Sequence, residues 1–187
     1  MRVISGLYKN RLLKGDDLLG TRPTMARVKE SLIALIQDCI KDAVVLDLFA
    51  GSGSLGIEAL SNQAKMCYFC DKNNKAGEII KANLKTLNVN LFKVLIKDYQ
   101  ICLKNFFQDK LKFDIVFLDP PYHENMLKKA IDLILDYELL NKESLLVCET
   151  DIKLEELDKL KIWKQKKYGD KYITIYRLKE WKNENNY

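Results

Sequence analysis

The chain has 187 residues, a length that suits one globular domain with a buried core. The composition is 48% hydrophobic and 30% charged with only 3 prolines and 8 glycines, which excludes disordered, collagen-like and low-complexity proteins. No apolar run approaches the roughly 18 residues of a membrane span, and the amino terminus lacks the apolar core of a signal peptide. We therefore expect a cytoplasmic protein with no membrane partner, and we expect it to be a monomer.

The net charge of +5 is unevenly distributed along the chain. Residues 1–30 hold 7 basic and 3 acidic side chains, residues 31–150 hold 14 and 16, and residues 151–187 hold 10 and 7. Basic ends around a slightly acidic centre are typical of a protein that binds a polyanion, although a solvated lysine-rich surface produces the same excess.

Arginines are concentrated near the amino terminus. The chain has 26 lysines but only 5 arginines, and four of the arginines are Arg2, Arg11, Arg22 and Arg27. A guanidinium group matches phosphate in two places, whereas the lysine ammonium is a point charge. This segment is therefore the candidate phosphate-binding region.

The five cysteines, Cys39, Cys67, Cys70, Cys102 and Cys148, lie in apolar stretches and are odd in number. We expect reduced core residues rather than a disulfide framework. Cys67 and Cys70 form a Cys-x-x-Cys pair, but no second pair and no histidine at metal-ligand spacing accompany it. The sequence therefore predicts no metal site.

Apolar patterns predict alternating helices and strands. A first helix begins near Pro23 with Thr24 as its cap, and its apolar positions are Val28, Leu32, Leu35 and Ile36. Short apolar runs at 43–47, 66–70, 92–96, 113–118 and 145–148 are predicted strands. Helical patterns follow the first two runs, to residues 59 and about 87, and a third helix lies near 127–135. This alternation indicates a mostly parallel sheet covered by helices on both faces.

Two further predicted strands close the chain. Residues 161–167 and 171–177 form a predicted hairpin that turns at Gly169 and Asp170, and polar and apolar residues alternate over 172–176. The hairpin adds an antiparallel edge, which makes seven strands in all.

A glycine-rich loop follows the first predicted strand. Gly51, Gly53 and Gly56 have the G-x-G-x-x-G spacing of a dinucleotide-binding loop, a weak signal by itself. Asp47 stands at the end of the strand, where a carboxylate repels pyrophosphate but accepts hydrogen bonds from the amino group of a cationic ligand such as S-adenosylmethionine. The structural alternative is that Asp47 only caps a turn.

Acids also follow the next two predicted strands. Asp71 lies twenty residues beyond Gly51, the spacing at which an acid binds ribose hydroxyls in either an NAD or an adenosylmethionine site. Asp98 follows the third strand and is a candidate acceptor for the adenine amino group, with Tyr99 placed to cover a ring. In open parallel sheets, ligands bind at these carboxyl ends.

The strongest signal is the tetrad Asp119, Pro120, Pro121 and Tyr122, directly after the strand at 113–118. Consecutive prolines fix the backbone and leave carbonyl acceptors that point outward. The Asp119 carboxylate and the Pro120 carbonyl are predicted to accept hydrogens from an exocyclic amine, which turns its lone pair towards an electrophilic methyl group. Tyr122 is predicted to stack on the base, which has to be unstacked to enter the site.

Four segments, at 2–6, 21–30, 47–56 and 113–122, closely resemble the RsmD family. That resemblance implies an enzyme with a Rossmann-like methyltransferase fold, which methylates the exocyclic N2 of a guanine in 16S ribosomal RNA. The implied cofactor is S-adenosylmethionine, and the implied substrate is the assembled or assembling small ribosomal subunit. It also implies three sets of site residues: Asp47, Phe49, Gly51, Gly53, Asp71 and Asp98 for the cofactor; Asp119, Pro120, Pro121 and Tyr122 for the guanine; and Arg2, Arg11, Arg22 and Arg27 for RNA. Basic positions elsewhere are mostly lysine, which weakens any assignment of a bidentate contact to them.

We predict a single methyltransferase domain over 1–187, with a basic RNA-contacting extension and helix at 1–40 and a catalytic core at 41–187. The alternatives are an adenine-N6 methyltransferase acting on DNA or another RNA, a non-catalytic RNA-binding assembly factor and, least favoured, an NAD-dependent dehydrogenase. His123 is expected to be a loop residue at the mouth of the site rather than a catalytic one. The lysine cluster at 161–167 either extends the RNA footprint or protects a solvated edge strand.

Overall fold

A computed structural model describes residues 1–15, 23–121 and 124–179, without the side chains of residues 23–26 and 124. Within these residues seven strands form one sheet: β1 (Val44–Asp47), β2 (Met66–Asp71), β3 (Phe92–Ile96), β4 (Phe113–Leu118), β5 (Leu140–Thr150), β6 (Leu160–Tyr168) and β7 (Lys171–Leu178). Their order across the sheet is β3-β2-β1-β4-β5-β7-β6. The first five strands are parallel and β7 is antiparallel to both of its neighbours, as the sequence predicts.

Helices cover both faces of the sheet. They are α1 (Pro23–Ile36), α2 (Ser54–Ser61), α3 (Asn74–Thr86), α4 (Tyr99–Gln108) and α5 (Glu124–Asp136). The α1 face, which carries Val45, Phe69 and Ile115 from the sheet, packs against α1, α2 and α3. The α4 face, which carries Leu46 and Val116, packs against α4 and α5. No helix in the described part of the chain is both long and apolar enough to cross a membrane.

Three local predictions differ from the structure. Helix α1 begins at Pro23, so Thr24 lies inside the helix and is not its cap; the fixed φ of proline suits the first helical position. Strand β5 begins five residues before the predicted 145–148 run, because Leu140, which precedes that apolar run, already pairs with Phe113 of β4. Helix α4 is absent from the predicted elements, and its start is marked by Asp98, which accepts a hydrogen bond from Gln100 N at 2.9 Å.

The alternation over 172–176 does not correspond to a half-exposed strand. Ile173, Thr174, Ile175 and Tyr176 are all buried, because β7 lies between β5 and β6 and both of its faces are covered. The polar groups are paired: Thr174 Oγ1 accepts from Gln165 Nε2 at 3.0 Å, and Tyr176 Oη donates to the Glu155 carbonyl at 2.6 Å. The exposed edge strand of the hairpin is therefore β6 alone.

Residues 1–15, which we call the N-terminal strap, fold back on themselves and pack on the α1 face. Val3 N donates to the Arg11 carbonyl, and Val3 and Leu13 belong to the same core cluster as α1. At the end of the strap, Lys14 N donates to Asn83 Oδ1 at 2.8 Å on α3. The strap is thus part of the packed core rather than a loose extension.

The five cysteines are unpaired, and all except Cys39 are buried. Burial raises the pKa of Cys67 well above its usual value, which keeps that thiol protonated. Core packing accounts for the Cys-x-x-Cys spacing.

Candidate functional site

Four carboxylates stand in a row at the carboxyl edge of the sheet. The adjacent strands β2, β1, β4 and β5 carry Asp71, Asp47, Asp119 and Glu149 at or next to their carboxyl ends. Side chains along a strand point alternately to the two faces of the sheet. Each of the four acids lies two residues beyond a side chain that is buried on the α1 face, so all four carboxylates belong to that face. The row crosses from β1 to β4, where the strand order reverses, which is the usual ligand-binding position in this class of sheet.

The glycine loop connects β1 to α2. Gly51 and Gly53 have φ values of +53° and +78°, a region that side-chain-bearing residues rarely adopt. A Cβ at Gly53 would also meet Ile80 Cγ1 at 2.9 Å. Gly56 is required for packing instead, because a Cβ there would collide with the Phe69 ring and lie 2.7 Å from Cys67 Sγ.

Asp47 is the most enclosed acid of the row, with 4% of its surface exposed. Its Oδ2 accepts a hydrogen bond from Gly56 N at 3.0 Å, in the first turn of α2. Burial raises the pKa of Asp47 to about 7, opposed by the Gly56 hydrogen bond and assisted by the charge of Asp71. The carboxylate therefore holds the end of the loop in place, as the structural alternative predicts.

Asp71 is also engaged with the loop. Its Oδ2 accepts from Gly51 N at 2.8 Å, and its Oδ1 accepts from Asn73 N at 2.8 Å ahead of α3. The side chain is partly exposed, and each carboxylate oxygen can accept more than one hydrogen bond. The predicted role towards ribose hydroxyls is thus compatible with these two contacts.

Two aromatic rings meet beside the glycine loop. Phe49 from the glycine loop and Tyr99 from the start of α4 have ring centroids 5.3 Å apart, tilted by 49°. Asp98, next to Tyr99, is exposed and caps α4. The structure thus brings the sequence-predicted Phe49, Asp98 and Tyr99 together beside the loop.

Asp119 follows β4 and is partly exposed. Burial raises the pKa of Asp119 to about 6, the charge of Lys171 lowers it, and the charges of Asp47 and Asp151 raise it. Pro120 and Pro121 follow with trans peptide bonds. Tyr122 and His123, predicted at the base and at the mouth of the site, lie outside the described residues.

The predicted site omits three charged residues of this edge, namely Glu149, Asp151 and Lys171. Glu149 is the penultimate residue of β5, and burial together with the Asp119 charge raises the pKa of Glu149 to about 7. Lys171 opens β7, and its Nζ lies 2.5 Å from Asp151 Oδ1. The signal for Glu149 was present in the sequence, because it follows a buried strand in the same way as Asp119.

The predicted RNA-binding arginines are exposed where the structure describes them, namely at Arg2, Arg11 and Arg27. Arg2 Nη1 donates to the Asn10 carbonyl and Arg11 Nη2 to the Thr86 carbonyl, both at 3.2 Å. A guanidinium has five donor hydrogens, so most of them remain available for phosphate. Arg22 lies outside the described residues.

A buried ion pair joins α1 to α2, the helix after the glycine loop, and both of its members also bind the strap. Lys29 Nζ on α1 lies 2.9 Å from Glu58 Oε1 on α2, with the two side chains 10% and 0% exposed. Lys29 Nζ also donates to the Arg2 carbonyl and to Ser54 Oγ, each at 3.0 Å. Glu58 Oε1 accepts from Ile4 N at 2.8 Å. This pair is not among the sequence-predicted site residues.

The donor and acceptor set fits S-adenosylmethionine. Two carboxylates flank a loop of glycines that lets the backbone approach a ligand closely, and a pair of rings stands next to a third carboxylate. Negative charge beside the loop opposes a pyrophosphate and favours a cationic ligand.

Comparison with known proteins gives matches over most of the chain. The sequence model of the family described as conserved hypothetical protein 95 matches residues 1–177. Ribosomal RNA small subunit methyltransferase D of Haemophilus influenzae is 37% identical over 179 residues, which are 95% of this chain and 92% of that protein. The solved structure of YhhF from Escherichia coli has a TM-score of 0.84 at 28% identity, covering 96% of this chain and 98% of that chain. A protein solved in complex with SAH has a TM-score of 0.69 at 15% identity over 91% of this chain and 52% of that chain, a likeness of fold alone.

Proposed function

The chain belongs to the family described as conserved hypothetical protein 95, the RsmD family, and from that premise we propose that it methylates the exocyclic N2 of a guanine in 16S ribosomal RNA. Its fold is the Rossmann-like methyltransferase fold and its cofactor is S-adenosylmethionine, as the sequence analysis expected. The substrate is the assembled or assembling small subunit, and the enzyme acts as a cytoplasmic monomer. The name of the Haemophilus influenzae relative supports the ribosomal substrate.

The observation that carries this proposal is the position of Asp119 relative to the glycine loop. Phe117, two residues before Asp119, pairs with Asp47, so the turn that begins at Asp119 and the loop that follows Asp47 emerge from adjacent strands. An amine bound at the turn therefore faces a ligand bound at the loop. Proximity and orientation of this kind supply most of the acceleration that a bimolecular transfer requires.

The Asp119 carboxylate and the Pro120 carbonyl orient the amine by accepting its two hydrogens. When bound, S-adenosylmethionine supplies the electrophilic methyl group. The nitrogen of the base gains the methyl group and loses one proton, which Asp119 takes up or relays to water. Because the pKa of Asp119 is raised to about 6 by burial, this carboxyl is ionised at neutral pH and is also able to hold a proton transiently. In this proposal Asp119, Pro120, Pro121 and Tyr122 hold the guanine, Asp47, Phe49, Gly51, Gly53, Asp71 and Asp98 hold the cofactor, and Arg2, Arg11, Arg22 and Arg27 bind RNA.

The test is methyl transfer from labelled S-adenosylmethionine to three substrates in parallel: small subunits from cells that lack this protein, naked 16S RNA and duplex DNA. Asp119→Ala removes the proposed acceptor. Asp132→Ala is the matched control, because Asp132 is an exposed aspartate on α5.

Label on guanine N2 in the subunits, lost in Asp119→Ala and retained in Asp132→Ala, is the expected result. Label on adenine, in DNA or in RNA, would overturn the substrate and leave methyl transfer standing. Absence of label from all three substrates, with RNA binding intact, would favour the non-catalytic assembly factor.

A further inference from the structure

Lys171 brings a positive charge to an otherwise acidic edge of the sheet. Strand β7 runs antiparallel to β5, and Thr150 pairs with Tyr172, so Lys171 stands beside Asp151 just past the end of β5. The ammonium lies 2.5 Å from Asp151 Oδ1 and the Lys171 side chain is 19% exposed. Because Ile173 and Ile175 point to the α1 face, Lys171 belongs to the same face as the row of carboxylates.

Within the described residues, the charged groups that act on Asp119 or on its neighbour Glu149 come from several elements. Asp47 lies on β1, Glu149 and Asp151 at the end of β5 and Lys171 at the start of β7, while Asp170 in the hairpin turn acts on Glu149. Four of these five groups are carboxyls. Lys171 is the one cation among the charged groups described as acting on Asp119, and it acts on Glu149 as well.

We propose that Lys171 is a positioning residue for the methyl transfer, because its ammonium keeps Asp119 in the ionised form that accepts hydrogens from the amine. This inference rests on the proposed function. A protonated Asp119 presents a donor hydrogen to the amine and no longer accepts at that oxygen, so the lone pair of the nitrogen is misdirected. The direction of the charge effects agrees with this role: Lys171 lowers the pKa of Asp119, and Asp151 raises it.

The experiment measures the titration of Asp119 directly, by NMR of protein labelled with ¹³C at aspartate carboxyls, with the Asp119 signal assigned through Asp119→Asn. Lys171→Met removes the charge and Lys171→Arg preserves it. Lys179→Met is the matched control, because Lys179 follows the other end of β7 and pairs with Glu156 at 3.5 Å. Single-turnover methyl transfer to small subunits is measured over the same pH range.

Lys171→Met is expected to raise the titration midpoint of Asp119 by about 1 unit, with a loss of transfer rate of about fivefold at pH 6 and little change above pH 8. Lys171→Arg and Lys179→Met are expected to leave both readouts near those of the unmodified protein. Asp151→Asn, which removes a neighbouring negative charge, is expected to move the midpoint downward. It provides an independent test if Lys171→Met does not fold.

An Asp119 midpoint that stays in place in Lys171→Met, or moves equally in Lys179→Met, overturns the inference. A midpoint that moves while the pH profile of transfer stays unchanged also overturns it, since Lys171 then has no positioning role. Midpoints that move as expected in a protein that transfers no methyl group refute the proposed function, while the control of the Asp119 charge by Lys171 stands.

Discussion

Replacing Lys29 with methionine removes one half of the buried ion pair that joins α1 to α2 beneath the N-terminal strap. Met has a similar length and no charge, so Glu58 stays fully buried without its counter-charge. Breaking a buried pair in this way costs about 3–5 kcal/mol of the free energy of unfolding. The Arg2 carbonyl and Ser54 Oγ also lose a donor, which places the expected loss in the upper part of that range.

Urea unfolding followed by circular dichroism measures this loss, with the slope of the transition checked for a change in the denatured state. Lys85→Met is the control, because Lys85 is an exposed lysine on α3, and it is expected to change the free energy of unfolding by less than about 0.5 kcal/mol. In a double-mutant cycle, Lys29→Met with Glu58→Leu is expected to cost at least 1 kcal/mol less than the sum of the single variants.

Hydrogen exchange locates the effect within the molecule. The Ile4 amide donates to Glu58 Oε1 at 2.8 Å, so exchange at Ile4 is expected to accelerate in Lys29→Met more than exchange in β4. A loss below about 1 kcal/mol, or additive single variants, would refute the view that Lys29 neutralises a buried Glu58.

Three further predictions address the loop, the buried acid and the arginines. Gly56→Ala is expected to lower the free energy of unfolding by about 1–3 kcal/mol, because its Cβ collides with the Phe69 ring; unchanged urea stability would contradict this. The pKa of Asp47 is higher in the folded protein than in the unfolded chain, so between these two pKa values the folded protein binds a proton that the unfolded chain has lost. The free energy of unfolding is therefore expected to fall by up to about 4 kcal/mol as pH rises from 4 to 7. Asp47→Asn should flatten this slope, and an equal slope in both proteins would count against it. Arg27→Ala is expected to reduce the salt dependence of RNA binding by about one unit of slope without changing cofactor affinity, and a loss of cofactor affinity would refute the proposed division of roles.

The sequence predicts the edge of the sheet well because parallel buried strands are continuous apolar runs that stop at a polar residue. The predicted 92–96 and 113–118 runs coincide with β3 and β4, and the acids after them fall at the carboxyl ends. Helix α4 is absent from the predicted elements, and Asp98, which caps it, also has the position of a ligand-binding acid after a strand. A capping acid and a binding acid look alike in sequence, since both stand between a strand and a helix.

The positions of Lys171 and Glu58 depend on contacts that no local pattern contains. Lys171 reaches the site because β7 inserts between β5 and β6, a pairing that the order of strands along the chain does not specify. Glu58 lies in a short helix whose other residues are mostly apolar, and its partner Lys29 comes from α1, a different element. Sequence periodicity assigns a face to a residue but does not identify the residue on the opposite element.

The distribution of charge explains how the proposed enzyme binds a cation and a polyanion together. The carboxylate row gives the edge of the sheet a negative potential, which favours a sulfonium ligand and repels phosphate. The exposed Arg2, Arg11 and Arg27 lie on the strap and α1, outside that row, where they attract phosphate. In the proposed complex the RNA phosphates are held at these arginines and excluded from the row, so that an unstacked base is the part of the nucleotide that enters the site. Lys171, inside the row, is the exception, and its ion pair with Asp151 limits its attraction for phosphate.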